Sequence, residues 1–229
     1  MDFIINRLTR FPRLQRLYRV LKRVILTLFI AHMLYTILLI WLPVISTPTM
    51  FLQWVEGKKI HKSWVSMAHI SEPMQRAVIA SEDQEFEDHF GFDIKAIEKA
   101  MEYNKTHVKT KGASTITQQV AKNVFLWQGR TWLRKAFEAY CTFLIELLWS
   151  KERILEIYLN VAEMGNGVFG CEAAAKQFFD KSANNLTESE AALIAACMPS
   201  PRRFHVDNPS DYVRKRQRWI LGQMQNIEK

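Results

Sequence analysis

The stretch MQRAVIASEDQEFEDHFGFD, residues 74–93, joins an apolar run to a dense group of acidic residues. Glu82 closes the apolar run, and Asp83, Glu85, Glu87 and Asp88 follow it closely. Burial disfavours the charged form of a carboxyl group, and so do neighbours of like charge, so both effects predict a raised pKa for Glu82. Such a carboxyl group is suited to proton transfer near neutral pH. The alternative is a solvated acidic helix end, and these residues alone do not decide against it.

An apolar segment without charged residues, VILTLFIAHMLYTILLIWLPV, occupies residues 24–44. About 20 such residues span a bilayer as a helix. Tyr35 and Trp41 suit positions near the interface, and Pro43 marks the predicted exit. A secretory signal peptide is the rival interpretation, but its apolar region usually has only about 7–15 residues, and no small-residue cleavage site stands out here. The segment therefore predicts an uncleaved transmembrane helix.

The residues before the span, 1–23, form a basic arm. They include one acidic residue, Asp2, and seven basic residues: Arg7, Arg10, Arg13, Arg16, Arg19, Lys22 and Arg23. The arm therefore carries +6 of the chain's total of +8, and the rest of the chain carries only +2. The excess of positive charge before the span predicts a cytoplasmic N-terminus, with the chain after about residue 45 on the other side of the membrane. Because most of the charge lies beside the membrane, it suits anionic lipid head groups and argues against nucleic-acid binding.

After a predicted linker, residues 45–64, the chain shows helix-type periodicity and almost no alternation of apolar and polar residues. Residues 65–229 are therefore predicted to form one mostly α domain, large enough for a proper core. The chain has three cysteines, which cannot all pair with one another and do not have the spacing of metal ligands. Cys141 and Cys197 lie in apolar helical sequence, which favours small buried side chains over a disulfide.

The stretch GASTITQQVAKN opens a predicted helix whose start is rich in hydroxyl and amide groups. Thr115 and Gln118 form a capping box, and Ser114 precedes them. A helix N-terminus with free backbone N–H groups is suited to anions. Gln119 and Lys122 add side chains that can bind sugar or phosphate oxygens. By itself the pattern is also that of an ordinary capped helix.

A basic segment, KTHVKTKGAS, comes just before this helix. It contains Lys105, Lys109, Lys111 and the flexible Gly112. Two interpretations remain open for it: a segment that contacts a phosphate-rich surface, or an ordinary solvated loop.

The stretch TWLRKAFEAYCTFLIELLW, residues 131–149, predicts a helix that is apolar around most of its circumference. One narrow polar stripe contains Thr131, Arg134, Lys135, Glu138, Thr142 and Glu146. Such a stripe is typical of a helix that lines a cleft, although a salt-bridged surface face is the alternative. Glu138 lies one turn from Arg134 and Lys135, so it has a basic setting where Glu82 has an acidic one. Two carboxyl groups in contrasting environments are the usual arrangement for acid–base chemistry on sugars.

Five stretches in this order resemble the glycosyltransferase family 51 domain of bacterial cell-wall synthesis. They are SEDQEFEDHFGFD, GASTITQQVAKN, RKAFEAYCTFLIELLWSKERILEIYLN, GNGVFGCEAAA and EAALIAACMPSPRRF. The resemblance covers about residues 65–225. The chain has no Ser-x-x-Lys followed by Lys-Thr-Gly, so it resembles the members that lack transpeptidase chemistry.

The resemblance implies a mostly α, lysozyme-like fold behind a single transmembrane helix, and lipid II as the substrate. It implies that Glu82 is the general base that takes the proton of the acceptor 4-hydroxyl as this oxygen attacks C1 of the donor. The donor would lose undecaprenyl pyrophosphate and a β-1,4 bond would form with inversion. Glu138, with Arg134 and Lys135, would assist at the pyrophosphate, and the resemblance leaves open a divalent ion there, Mg or Mn.

The remaining implied site residues fall into two groups. Ser114, Thr115, Gln118, Gln119 and Lys122 match positions that line the donor and phosphate region, whereas Asp83, Phe86, His89 and Gly91 match positions that shape the first motif. The implied location is the bacterial inner membrane with a periplasmic catalytic domain, and division or elongation proteins are conceivable partners. The alternatives are a membrane-bound glycan hydrolase or lytic transglycosylase, and a non-catalytic scaffold.

Overall fold

The computed structural model describes residues 12–107, 110–129 and 131–227. The chain divides into two compact units, Met1–Leu42 and Pro43–Lys229. The first eleven residues of the predicted basic arm, with Asp2, Arg7 and Arg10, lie outside the described residues, and so does Lys109.

The first unit contains one long helix, α1 (Pro12–Leu38), and a turn that runs to Leu42. The segment Arg13–Leu38 is long and apolar enough to cross a membrane, and almost none of it is buried within the protein. The predicted span was residues 24–44, so the helix begins earlier and ends earlier than the apolar run. A turn over residues 39–42 separates the end of the helix from Pro43, the predicted exit.

The second unit is mostly helical, as predicted. Its helices are α2 (Pro48–Val55), α3 (Glu72–Glu82), α4 (Ile94–Thr106), α5 (Ile116–Phe125), α6 (Trp132–Leu148), α7 (Lys151–Val161), α8 (Cys171–Phe179), α9 (Glu188–Cys197) and α10 (Asp211–Met224). Its strands are β1 (His61–Lys62), β2 (Glu163–Gly165) and β3 (Val168–Phe169). Two short 3₁₀ turns lie at Met67–His69 and Ala183–Asn185.

Side-chain caps mark several helix starts, including the one predicted at Thr115. Ser71 accepts the backbone N–H of Met74 at the start of α3. The capping box predicted for Thr115 with Gln118 is complete, and a second one joins Thr187 to Glu190. These side chains satisfy backbone N–H groups that a helix N-terminus leaves without a partner.

The core of the second unit consists of two groups of packed helices. In one, α9 packs against α3 and α10. Its alanines, among them Ala192 and Ala195, are completely buried and let the helices approach closely. In the other, α5 packs against α6 and α7. Because Glu82 ends α3 and Glu138 lies on α6, the two carboxylates come from different groups of helices.

The predicted linker, residues 45–64, contains both α2 and β1. Gln53 of α2 is buried and donates to Glu163 across 3.2 Å. Strand β1 pairs in parallel with β3, which pairs antiparallel with β2. Lys62 donates to the backbone carbonyls of Val44 and Ile45. Contacts with residues more than a hundred positions later in the sequence thus hold this stretch in the second unit. Its local sequence pattern does not reveal these contacts.

Candidate active site

A cleft of about 680 Å³ opens in the second unit. Six of the predicted site residues line it: Glu82, Ser114, Gln118, Gln119, Lys122 and Glu138. Lining residues that the sequence analysis did not single out include Gln53, Asn123, Gln128, Tyr158 and Glu163. The structure therefore brings the two predicted carboxylates and the predicted anion-binding helix start to one cavity.

Glu82 is the last residue of α3, and its side chain is only 14% exposed. Oε2 accepts a hydrogen bond of 2.8 Å from Nε2 of Gln119, and Oε1 lies 4.0 Å from the guanidinium of Arg216. Burial raises the pKa of Glu82, and the hydrogen bond from Gln119 and the charges of Arg216 and Lys122 oppose that rise.

The direction of this pKa shift confirms the sequence-based expectation, but its causes differ in part. Of the acidic neighbours, only Asp83 contributes to the rise. Glu87 and Asp88 point into solvent, and Glu85 lies 3.4 Å from Lys95. Desolvation, rather than the dense acidic sequence, is thus the main cause.

Asp83, Phe86 and His89 are close to Glu82 in sequence but do not line the cleft. One oxygen of Asp83 lies 2.8 Å from Nε2 of His89, and the other accepts the backbone N–H of Ile116 across 2.9 Å. Phe86 is completely buried, with the ammonium group of Lys151 4.6 Å from the centre of its ring. These three side chains hold the loop after Glu82 in place.

Gly91 and Thr115 join the first motif to the start of α5. The hydroxyl of Thr115 donates to the carbonyl of Gly91 across 2.7 Å. Gly91 has a φ of +73°, and a Cβ there would lie 2.7 Å from Cγ2 of Thr142. Only glycine combines this backbone geometry with the close approach of α6.

A second buried network supports the same loop and was not predicted. Lys151 donates to the carbonyl of His89 across 2.6 Å and to Oε1 of Glu146 across 3.0 Å. The hydroxyl of Thr117 also donates to Glu146, across 2.6 Å. Glu146 had appeared in the polar stripe of its helix, but its partners on α5 and α7 depend on how the helices pack.

Glu138 lies on α6 and its side chain is only 4% exposed. Oε2 accepts a hydrogen bond of 2.6 Å from Arg134, and Oε1 accepts one from Lys135. The predicted pairing with the residues three and four positions earlier is confirmed.

These contacts also bear on a divalent ion. Both oxygens of Glu138 are already bound by cations. Among the described residues, no group of three or more His, Cys, Asp or Glu side chains is arranged to hold a metal ion. The residues around Glu138 therefore do not fit a metal ion held by the protein.

Lys122 lines the cleft among the same charged groups. Burial lowers its pKa, the carboxylates of Glu138 and Glu82 oppose this, and the charges of Arg134 and Lys135 add to it. We refer to Lys122, Arg134 and Lys135 as the cationic cluster. Lys122 and Glu138 line the cleft, whereas Arg134 and Lys135 do not line it but contact Glu138 directly. The three cations outnumber the one carboxylate, so the group carries a net positive charge.

Arg202 and Arg203 lie at the end of the last of the five quoted stretches, and neither has a free charge aimed at Glu82. Arg202 makes two contacts of 3.2 Å with the carboxylate of Glu163, so its charge is already paired. Arg203 is exposed and lies beside the ring of Phe204. Arg216 of α10 is the arginine that approaches Glu82.

Comparison with known proteins agrees with this geometry. Residues 49–225 match the family model described as Transglycosylase. The chain is 50% identical over 218 residues to the biosynthetic peptidoglycan transglycosylase of Bdellovibrio bacteriovorus, covering 93% of this chain and 87% of that protein. It is 56% identical over 178 residues to the proteins of the same name from Shigella sonnei and Escherichia coli (strain K12 / DH10B), covering 76% of this chain and 74% of each. The chain therefore belongs to the transglycosylase family, the peptidoglycan glycosyltransferases that the five sequence motifs indicated.

Proposed function

We propose that the chain polymerises lipid II with Glu82 as the general base and the cationic cluster at the leaving pyrophosphate. The 4-hydroxyl of the acceptor sugar gives its proton to Glu82 while its oxygen forms a bond to C1 of the donor. The bond between C1 and the pyrophosphate oxygen breaks, and its electron pair leaves with undecaprenyl pyrophosphate. Attack on the face opposite the leaving group converts an α-linked donor into a β-1,4 linkage.

The observation that carries this proposal is the environment of Glu82. Its carboxylate borders the cleft, yet burial raises its pKa. A general base works best when its pKa lies close to the working pH. Gln119 and Arg216 limit the rise, and so favour the ionised form that can accept a proton.

The cationic cluster suits the opposite side of the reaction. Negative charge develops on the pyrophosphate as the C1–oxygen bond breaks, and fixed positive charge stabilises it. Glu138 binds both Arg134 and Lys135. Its role in this proposal is to hold these two cations in position, and Lys122 contributes the third charge. Ser114 and Gln118 line the same cleft and can bind sugar or phosphate oxygens.

The exposed face of α6 supports a substrate that is reached from the membrane. The polar stripe of this helix faces inward, since Glu138, Thr142 and Glu146 are buried. Its outer face instead carries large apolar side chains: Trp132, Leu133, Phe137, Phe143 and Leu147. An exposed apolar surface of this kind suits contact with lipid. The polyprenyl chain of lipid II keeps this substrate in the membrane.

The proposed orientation places the N-terminus in the cytoplasm and the second unit in the periplasm. The excess of basic residues before the span supports it. A reporter active only in the periplasm should work when it is fused after residue 227 and fail when it is fused before the span. The opposite result would reverse the orientation. A contact with division or elongation proteins stays a prediction.

The activity is tested with the full-length protein in detergent and purified lipid II. We expect the wild type to form glycan polymer and Glu82→Gln to form none, because an amide cannot accept the proton. Glu87→Gln is the matched control, since Glu87 belongs to the same acidic stretch but is exposed. The control should retain wild-type activity.

Two results would contradict the proposal. Cleavage of preformed glycan without polymer formation would indicate a hydrolase or lytic transglycosylase. Full function of Glu82→Gln in cells would indicate a non-catalytic scaffold.

A further inference from the structure

The hydroxyl group of Tyr158 lies behind the proposed base. Tyr158 is on α7, and only 1% of its surface is exposed, although it borders the cleft. A buried tyrosine hydroxyl normally has a hydrogen-bond partner. Here it donates to Oε1 of Gln119 across 3.3 Å. Burial raises the pKa of Tyr158 well above its ordinary value, so the hydroxyl keeps the proton that it donates.

The other end of the same amide faces Glu82. Nε2 of Gln119 donates to Oε2 of Glu82 across 2.8 Å. The side-chain amide of glutamine has one donor end and one acceptor end, whereas an ionised carboxylate can only accept. When Glu82 is ionised, Gln119 must therefore direct its NH₂ group at Glu82 and its oxygen at Tyr158.

We propose that Tyr158 is a positioning residue for the reaction: by donating to Gln119, it holds that amide with its NH₂ group directed at Glu82. The inference rests on the proposed role of Glu82 as the general base. It links α7, α5 and α3 through one chain of two hydrogen bonds.

Loss of the hydroxyl would have a defined consequence. The oxygen of Gln119 would be left buried without this donor, which is costly. Turning the amide over would relieve that cost only by placing its oxygen against Glu82, where it repels the ionised carboxylate. Either outcome weakens the support that Gln119 gives to the charged form of Glu82.

The other charged groups around Glu82 would remain as they are. Arg216 on α10 lies 4.0 Å from Oε1, Lys122 approaches from α5, and Asp83 follows Glu82 directly. None of these three is hydrogen-bonded to Tyr158 in the described part of the chain. An effect of the Tyr158 hydroxyl on Glu82 should therefore depend on Gln119.

The test is the pH dependence of kcat/KM for lipid II polymerisation in four proteins: the wild type, Tyr158→Phe, Gln119→Met and the double variant. The acid limb of this profile is the fall in kcat/KM at low pH, where Glu82 becomes protonated. In Tyr158→Phe we expect this limb to move to higher pH by about half to one pH unit, which corresponds to the free energy of one hydrogen bond. Gln119→Met should move it at least as far, and the double variant should match Gln119→Met, because the hydroxyl acts through the amide. Tyr212→Phe, in an exposed ring beside Phe204, is the control and should leave the limb in place.

A uniform loss of activity in Tyr158→Phe without a shift of the limb would overturn the inference, and so would additive shifts in the double variant. Replacement of Tyr158 by 3-fluorotyrosine tests the same point in a protein that keeps the hydroxyl. Fluorination makes the hydroxyl a stronger donor, so the acid limb should move to lower pH, and an unchanged limb would also overturn the inference.

The parent proposal can fail separately. If Glu82→Gln still polymerises lipid II, the assignment of the base is wrong and the role of Tyr158 is lost with it. If Glu82→Gln is inactive while Tyr158→Phe has a wild-type pH profile, only the role of Tyr158 is refuted.

Discussion

The carboxylate of Asp83 accepts the backbone N–H of Ile116 across 2.9 Å, so the residue after Glu82 binds the first turn of α5. This bond satisfies one of the N–H groups that a helix leaves without a partner at its N-terminus. The same carboxylate lies 2.8 Å from His89. Asp83 thus couples the end of α3, which carries the proposed base, to the helix that carries Gln119 and Lys122.

Replacement of Asp83 by alanine should therefore impair both folding and activity. The N–H of Ile116 and the ring of His89 would lose a buried partner, at a cost of about 1–3 kcal/mol. We expect a lower thermal midpoint and at least a tenfold loss of polymerisation. Asp83→Asn, which keeps one oxygen for Ile116, should lose less stability than Asp83→Ala. Equal midpoints for the two variants would refute the importance of the bond to Ile116.

The stability of Glu82→Gln should depend on pH. Burial raises the pKa of Glu82 in the folded protein above its value in the unfolded chain. The stability that this group contributes is therefore fully present below the unfolded-state pKa and is lost as the pH rises through the folded-state pKa. Glutamine has no charge to bury, so the variant should be more stable than the wild type near pH 8.

Thermal melts at several pH values test this expectation. The difference between Glu82→Gln and the wild type should shrink toward pH 4, where both side chains are neutral. For a chain of this size, about 1 kcal/mol corresponds to about 2–4 °C in the thermal midpoint. A variant that is less stable than the wild type at pH 8 would contradict the prediction.

We expect the charge of Lys122 to control the alkaline limb of the pH–rate profile, which is the fall in activity at high pH. Because burial lowers its pKa, the charge of Lys122 is lost at a lower pH than that of an exposed lysine. Activity that depends on this charge should fall as the pH rises through that pKa. Lys122→Arg keeps its charge at every working pH, so its alkaline limb should move to higher pH.

The matched variant Lys122→Met removes the charge altogether. Below the pKa of Lys122 it should reduce kcat by about 10²-fold or more, as expected for the loss of one group that stabilises developing charge, and the difference from the wild type should shrink as the pH rises through that pKa. The shape of the profile is the decisive measurement, since arginine can lower the overall rate for steric reasons. An alkaline limb that Lys122→Arg leaves in place would show that another group controls it.

Replacement of Gly91 by alanine should cause a steric clash that destabilises the fold. In Gly91→Ala the new Cβ would lie 2.7 Å from Cγ2 of Thr142 in a backbone conformation that alanine disfavours. We expect a loss of about 2–4 kcal/mol in the free energy of unfolding. Gly222→Ala is the control, because nothing lies within 4 Å of the new Cβ and alanine favours a helix. A similar loss in both variants would contradict this explanation.

The cysteines should resist thiol reagents in the folded protein. All three are buried, and none forms a disulfide within the described residues. Burial raises the pKa of Cys141 to about 11 and those of Cys171 and Cys197 to about 12. Because the thiolate is the reactive form, we expect no labelling at pH 8 before denaturation and three labelled residues after it. Rapid labelling of the native protein would refute this.

Features that depend on neighbouring residues could be predicted from the sequence. The cap of Thr115 with Gln118 involves residues three positions apart, and the pairing of Glu138 with Arg134 and Lys135 spans a single helical turn. The apolar span was recognisable from composition. In each case the helical period or the residue types alone are sufficient, because backbone geometry brings such residues together wherever the helix lies.

The polar stripe of α6 could be predicted from the sequence only in part. The sequence identified which residues share that face. Only packing decides that Glu138 and Glu146 of the stripe are buried, and that some apolar residues of the helix, such as Ile145, are buried while others, such as Trp132, are exposed. The prediction of a linker missed the burial of Gln53 for the same reason. This burial depends on the contact of Gln53 with Glu163, which is distant in the sequence.

The supporting parts of the site were decided by tertiary structure alone. Tyr158 reaches Gln119, and Arg216 reaches Glu82, across 39 and 134 positions of the sequence. No periodicity specifies such contacts, because they depend on how separate helices are placed by the burial of their apolar faces. The sequence by itself thus determined the chemical groups of this enzyme, its long apolar segment and the capped start of α5. The packing of α3 with α10 and of α5 with α7 decided which of those groups surround the base.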